Sequence, residues 1–215
     1  DESGKRKESL DLNTGEYRES NKPRLACLEE RSSMRSFLTF KEDAAQYALG
    51  VMTKVLWYAA SLVPEITGTL CGVDTAMKLG YNWQYGPFEI LDKVGPAWFA
   101  QHLKEQGMSV PPLLEKVGQG TFYRVEEGKL QYLDVSGVYQ DVPRRPGQLL
   151  LSDVKRRSKP LLKNGSASLW DIGDGVVCLE FTSKMNSMDP DIMSMIHRSI
   201  ELVKTQGLKA MVIHN

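Results

Sequence analysis

The 215-residue sequence is short of excess charge of either sign, of long apolar runs and of paired metal-binding side chains. Lysine and arginine together number 27 and aspartate and glutamate 27, for a formal net charge of +0. This balance excludes a general binder of nucleic acid or of anionic membranes. The longest uncharged apolar stretch, Val55 to Pro64, covers about ten residues against the roughly 20 that span a bilayer, which excludes a transmembrane helix. Cys27, Cys71 and Cys178 are odd in number and form no C-x-x-C pair. They read as reduced core thiols, and the expectation is a cytoplasmic protein. His102, His197 and His214 have no second His or Cys at ligand spacing, so no metal site is expected. No G-x-G-x-x-G follows a strand, and Gly118-Gln119-Gly120 leads into a strand pattern instead of a helix. That geometry is not a phosphate cradle. What remains is ordinary for a folded chain with a real core: 41% hydrophobic and 25% charged residues, enough for one large domain or two small ones.

Two short segments echo each other. Gly4-Lys5 leads to Leu10-Asp11-Leu12-Asn13-Thr14-Gly15-Glu16-Tyr17, and Gly128-Lys129 leads to Leu133-Asp134-Val135-Ser136-Gly137-Val138-Tyr139. Each reads as a strand, a glycine turn and a tyrosine, the pattern of an internal repeat. Both ends of the chain read as cut. Asp1-Glu2-Ser3-Gly4-Lys5 starts inside a polar turn, and Ala210-Met211-Val212-Ile213-His214-Asn215 reads as a strand without a following turn. The expectation is an internal piece of a longer polypeptide.

Between these ends the periodicity changes twice. Glu19 to Arg35, charged and carrying Pro23, reads as a linker with at most one helical turn. From Lys41 the spacing is helical: Leu49, Met52, Leu56, Ala59 and Val63 draw one apolar stripe that Pro64 ends. Further helices fit Val73 to Gly80, a segment opening at Gly86-Pro87, Ala97 to Gln106, and Pro111 to Val117. Thr121 to Val125 and Leu130 to Leu133 flank a hairpin turn. Pro143 to Gly165 holds several basic residues with no interleaved aromatics, and reads as a solvated linker rather than a nucleic-acid patch, with contact to a phosphate-bearing ligand as the other reading. Ser168 to Phe181 then reads as a β-hairpin. Asp189 caps a helix with Pro190 at its first position and Ile192, Met195, Ile196, Ser199 and Val203 on its inner face, and Leu208 to Ile213 is a strand. This β-β-α-β order opens an α/β unit. His102 reads as a surface or helix-end residue and His197 as a surface one. Glu89 and Asp92, three apart near a helix start, read as capping groups rather than an acid–base pair.

Val73-Asp74-Thr75-Ala76-Met77-Lys78-Leu79-Gly80, followed by Gly86-Pro87-Phe88-Glu89-Ile90-Leu91-Asp92-Lys93-Val94-Gly95, resembles the C-terminal helical domain of the 3-hydroxyacyl-CoA dehydrogenases. The hallmark of that domain is a D-x-A-M-x-x-G helix and then G-P-F-E-L-x-D-x-V-G. Gly118-Gln119-Gly120-Thr121-Phe122-Tyr123 resembles its closing G-x-G-F-Y element with Thr121 inserted. The expected roles of Asp74, Gly80, Gly86, Pro87, Phe88, Asp92 and Gly95 are structural: Gly86 lets the chain turn tightly into a helix, Pro87 presets φ, and Phe88 and Leu91 plug a bundle. The resemblance implies NAD-dependent oxidation at the 3-position of acyl-CoA, by a His-Glu pair on a preceding Rossmann domain and an Asn early in the first helix of the helical domain. Counting back from Asp74, the position of that Asn is Leu49, which cannot hydrogen-bond the substrate oxygen. No catalytic or cofactor-binding residue is therefore expected within this chain, and NAD belongs to the parent protein.

A second resemblance covers residues 166–215. Trp170-Asp171-Ile172-Gly173-Asp174-Gly175-Val176, Ser183-Lys184-Met185-Asn186-Ser187-Met188-Asp189 and Leu208-Lys209-Ala210-Met211-Val212-Ile213 look like the opening of an enoyl-CoA hydratase (crotonase) domain. There the loop resembling Ser183, Lys184, Met185 and Asn186 lines the CoA channel, chiefly through backbone. The implied fold is mainly α: a helical dehydrogenase C-terminal domain, of the 6-phosphogluconate dehydrogenase C-terminal-like kind, with a β-hairpin, followed by a partial α/β crotonase segment. The expected organisation is the tail of a preceding repeat plus linker at 1–34, the helical domain at 35–143, a linker at 144–165 and the crotonase opening at 166–215. The expected role is that of a central, inactive connector in a bifunctional β-oxidation protein. Its partners would be acyl-CoA substrates and the Rossmann and crotonase domains of the same polypeptide, with homo-oligomerisation open. The competing expectation is a stand-alone, non-catalytic scaffold or dimerisation module of the same fold.

Overall fold

The computed structural model describes residues 7–20 and 23–215. The Gly4-Lys5 half of the first repeat and the polar start at Asp1 lie outside the described residues. Strands β1 (Glu8–Leu10) and β2 (Tyr17–Glu19) form an antiparallel hairpin that pairs Leu10 with Tyr17. Asp11 Oδ1 organises its turn, accepting from the N–H of Asn13 at 2.9 Å and of Thr14 at 3.4 Å. The segment read as a linker at Glu19 to Arg35 holds one helical turn, α1 (Ala26–Glu29), and α2 (Met34–Leu38) starts at its end. Two features of the sequence explain this. Ser33 and Ser36 exchange side-chain-to-backbone hydrogen bonds across the first turn of α2, at 3.0 and 2.9 Å, and Cys27 and Leu38 are buried.

Helices α3 (Asp43–Ser61), α4 (Leu70–Tyr81), α5 (Pro87–Val94), α6 (Pro96–Glu105) and α7 (Pro112–Val117) follow. Leu56, Ala59 and Val63 of the predicted stripe are buried, and Leu49 and Met52 pack at its edge. Helix α4 runs through Gly80 and stops at Asn82, whose left-handed backbone (φ 54°) caps it. Gly80 therefore does not break the helix, and a side chain there would meet open space. Gly95 does require its residue type, because φ of +92° joins α5 directly to α6. An antiparallel meander of β3 (Tyr123–Glu126), β4 (Lys129–Leu133) and β5 (Tyr139–Asp141) completes this unit. The β4–β5 turn pairs Leu133 with Tyr139, and Asp134 Oδ1 accepts from the N–H of Ser136 and Val138 at 2.8 and 3.0 Å. The two echoing segments thus share one local structure, an Asp-led turn closed by a Leu–Tyr pair. The core of the unit is Leu56, Phe88, Leu91, Phe99, Leu103, Leu114 and Phe122, with Phe88 and Phe122 edge to face at 5.0 Å.

The segment at 144–165, expected to be a solvated linker, contains α8 (Leu151–Arg157) and β6 (Leu162–Lys163). Its basic residues misled the reading: Arg144, Lys155 and Arg156 are held in ion pairs, and Val154 between them is buried. Strands β7 (Ala167–Gly173) and β8 (Val176–Phe181), a 3₁₀ turn at Lys184–Asn186, helix α9 (Pro190–Thr205) and β9 (Ala210–His214) follow. The sheet order is β6-β7-β8-β9, antiparallel except for β8–β9, which α9 joins in parallel. Period-two alternation sorts the side chains. Ala167, Leu169, Val177 and Leu179 face Ile192 and Met195 of α9, while Trp170 and Cys178 face Val154 of α8. The inner face of α9 is as expected, with Ser199 buried and Ile196 and Val203 at its edge.

Candidate functional site

The residues that carry the dehydrogenase resemblance converge on a buried carboxylate, Asp74, only 1% exposed on α4. Its Oδ1 accepts from the Phe88 N–H at 2.8 Å, and its Oδ2 from the Glu89 N–H at 3.2 Å and the Tyr123 hydroxyl at 2.9 Å. The first two are unpaired amides of the first turn of α5, so a residue 14 positions upstream acts as that helix's cap. The charge also faces the positive end of the helix. Glu89 closes the turn from its own side, accepting from the Gly86 N–H at 2.8 Å and pairing with Lys78 at 2.7 Å. Gly86 is needed for space rather than for conformation. Its backbone (φ −74°, ψ 167°) suits any residue, but a Cβ there would lie 2.3 Å from the Cβ and Cγ of Asp74.

Asp92 sits on the same helix and does not cap it. Its carboxylate accepts from the N–H of Phe122 at 2.6 Å and of Tyr123 at 2.9 Å, anchoring the start of the meander. Tyr123 is therefore held twice, by its amide on Asp92 and its hydroxyl on Asp74. Burial pushes the Asp74 carboxyl up to about 6, against the pull of its hydrogen-bond donors, and does the same to Asp92, also to about 6. Burial and the neighbouring Asp74 charge raise the Tyr123 phenol. Acids tuned this way are candidate proton donors. Here, however, each carboxylate is spent on backbone amides and a phenol that hold α4, α5 and β3 together, so the arrangement is a structural clamp.

The position resembling the substrate-binding Asn, Leu49, is half-buried on α3 and lines a cleft of about 220 Å³ with Gln46, Thr53, Lys54, His102 and Met108. Thr53 donates its hydroxyl to the Leu49 carbonyl at 2.7 Å, and its Oγ1 lies 3.0 Å from His102 Nε2, within hydrogen-bond distance. His102 is thereby a bridge between α3 and α6, not a free helix-end residue, and its ring stacks on Trp98 at 5.4 Å. His197 is exposed, with Nδ1 2.7 Å from the Met193 carbonyl. No group of three or more His, Cys, Asp or Glu able to hold a metal occurs among the described residues.

Ser183, Lys184, Met185 and Asn186 lie in the connection leaving the C-terminal end of β8, where ligands of α/β sheets gather. Lys184, Met185 and Asn186 are exposed, Ser183 is half-buried, and Met185 and Asn186 both have left-handed backbones (φ 57° and 53°). Ser183 Oγ donates to the Ser187 carbonyl at 2.9 Å and shapes the loop. The helix after this loop is unsuited to a dinucleotide pyrophosphate, because Asp189 already occupies its N-terminus. The Asp189 carboxylate accepts from the Ile192 N–H at 2.8 Å and the Ser166 hydroxyl at 2.5 Å, placing negative charge where a Rossmann unit needs none. The described residues do not fit NAD at this, their one parallel β-α-β crossover.

Sequence reasoning missed the pairing of Thr53 with His102 and of Lys155 with Glu180, which lie 49 and 25 residues apart and carry no local signal. The role of Tyr123 was open to discovery, since it closes the very motif that was recognised.

The chain is similar to a protein of Bacillus subtilis (strain 168) named as a 3-hydroxyacyl-CoA dehydrogenase, 32% identical over 211 residues, which cover 95% of this chain and 26% of that relative. It is also similar to proteins of Rickettsia felis and Rickettsia prowazekii named as fatty acid oxidation complex trifunctional enzymes. These are 25% identical over 157 residues (73% of this chain, 19% of the relative) and 24% identical over 176 residues (82% and 22%). The chain thus spans about a quarter or less of the length of the curated relatives it matches. No family model and no solved structure matches it.

Proposed function

We propose that this chain serves as a non-catalytic central segment of an NAD-dependent 3-hydroxyacyl-CoA dehydrogenase of fatty-acid oxidation. The observation that carries the reading is the likeness to a protein named as such a dehydrogenase across 95% of this chain. The residues of the shared motif, Asp74, Gly86, Phe88, Asp92 and Tyr123, build one buried clamp, which supports the reading of that motif as a folding element. In this reading residues 1–34 are the tail of a preceding repeat and a linker, and the hairpin β1–β2, with the same Asp-led turn as β4–β5, is what that tail would leave. Residues 35–143 are the second helical repeat, 144–165 join it to the next unit, and 166–215 open a crotonase-like unit whose loop at Ser183, Lys184, Met185 and Asn186 would meet CoA. NAD, acyl-CoA and the reacting groups would be met by other domains of the parent.

Two features support inactivity of the segment. Leu49 offers no side-chain donor to a substrate oxygen, and the nearest polar pair, Thr53 and His102, is engaged with itself and with the Leu49 carbonyl. The α9 N-terminus is filled by Asp189. The test is acetoacetyl-CoA-dependent oxidation of NADH by the purified 215-residue chain. The expected rate equals that of buffer, and turnover proportional to protein concentration would reject the reading.

A further inference from the structure

Helix α8 touches both hydrophobic units and is held on each by a different kind of contact. On the sheet side, Val154 is 2% exposed between Trp170 and Cys178. Lys155 places its ammonium on both oxygens of Glu180, at 2.7 and 3.1 Å. That Glu180 carboxylate also accepts from Ser168 Oγ at 3.0 Å and from the Trp170 indole N–H at 3.2 Å. It is largely buried, with all its donors fixed, so Lys155 has one partner geometry rather than many. On the other side, the backbone of α8 runs against the β3–β4 turn. A Cβ at Gly128 would lie 2.9 Å from the Cβ of Arg157 and 3.4 Å from its Cα. Arg144, just past β5, forks onto Asp153 of α8 at 2.7 and 2.9 Å, and Arg156 pairs with the same carboxylate.

We infer that α8 is a strap that locks the helical unit and the α/β sheet into one body, rather than a connection that lets them move independently. A seven-residue helix has no stability of its own, so its order comes from close packing on the two surfaces it joins, and loosening either surface must loosen the helix. A flexible tether would show neither a buried apolar residue on one face nor a backbone approach that only glycine permits on the other. The inference does not depend on what the parent protein catalyses.

Hydrogen exchange read by mass spectrometry on the full 215-residue chain tests it with paired glycine substitutions. Gly128→Ala and Gly137→Ala each place a side chain at positive φ (+74° and +89°) in adjacent meander turns, but the new methyl group meets α8 only at position 128 and open space at 137. Both substitutions carry the penalty of a positive φ, and only Gly128→Ala adds the contact with α8. The strap predicts that Gly128→Ala speeds exchange of the α8 amides at least tenfold over Gly137→Ala, and that the acceleration extends into β7. Equal α8 exchange in the two variants overturns the strap. Glu180→Gln provides an independent arm, because it removes the ionic partner of Lys155 from the sheet side and leaves the meander untouched. It should speed exchange in α8 and at the Gly128 turn together, and acceleration confined to the sheet would overturn the coupling. Should Gly128→Ala fail to fold, the Glu180→Gln result decides alone.

Discussion

Gly86→Ala separates two explanations of the glycine in the G-P-F-E motif. If glycine served only to ease the turn into α5, alanine would do as well or better. The native backbone at Gly86 (φ −74°, ψ 167°) is open to any residue, and removing unfolded-state freedom would stabilise by about 0.4–1 kcal/mol. The structure gives the opposite sign. The new methyl carbon would sit 2.3 Å from both Cβ and Cγ of Asp74, well inside contact distance and in a site with no slack. Relieving it means moving α4 from α5, with overpacking worth about 1–3 kcal/mol, or turning the Asp74 carboxylate off the Phe88 amide. A hydrogen bond to a charged acceptor adds about 1.5–3 kcal/mol. The expected loss is about 1–3 kcal/mol by either route, and at roughly 2–4 °C per kcal/mol for a chain of this size the thermal midpoint should fall by about 2–12 °C. Calorimetry or urea titration of the variant against wild type provides the comparison. An unchanged or raised midpoint would refute the steric argument and restore the conformational one.

Other consequences of the clamp and core follow from the same geometry. Tyr123→Phe removes the 2.9 Å hydrogen bond to the buried Asp74 carboxylate and should lower stability in urea by about 1.5–3 kcal/mol, with near-normal α-helical circular dichroism. Asp74 and Asp92 both have folded-state pKa values of about 6 against an ordinary 3.8. The folded state therefore binds their protons more tightly than the unfolded state does. Their contribution is full below pH 4 and is lost as pH rises through 6, on the order of 3 kcal/mol each. Asp134, held down to about 2 by Ser136 and Val138, and Asp153, held down by Arg144, act oppositely, losing their contribution as pH falls below 4. The midpoint temperature should accordingly peak near pH 4, and the fall between pH 4 and 6 should be reduced in Asp92→Asn. Ser199 of α9 buries a hydroxyl with no partner among the described residues, so Ser199→Ala should raise stability by about 1 kcal/mol, read as a higher urea midpoint.

The elements legible in the sequence were those whose evidence is local. The α3 stripe, the Gly86-Pro87 start, the Asp189-Pro190 cap and the alternation along β7 and β8 each act within a few residues, the range over which helix and strand periods operate. What escaped depends on tertiary partners. Residues 144–165 look like a linker because Arg144, Lys155 and Arg156 are charged, and only the fold reveals Asp153 and Glu180 as their partners. The stretch from Pro23 to Leu38 carries many charges, yet Cys27 and Leu38 find buried places and Ser33 with Ser36 nucleates a turn. The clamp was half legible. Its residues were singled out by motif, but the reason for Gly86 was misjudged because a collision with a side chain 12 positions earlier has no signature along the chain. The role of Asp92 was misread likewise, since Phe122 and Tyr123 lie 30 and 31 residues downstream.

The central claim, that this segment carries structure and leaves cofactor chemistry to other domains, is tested most directly by isothermal titration of NADH into the purified chain. Heats indistinguishable from dilution are expected, because the α9 N-terminus is already occupied by Asp189. A saturable NADH binding isotherm would contradict the claim.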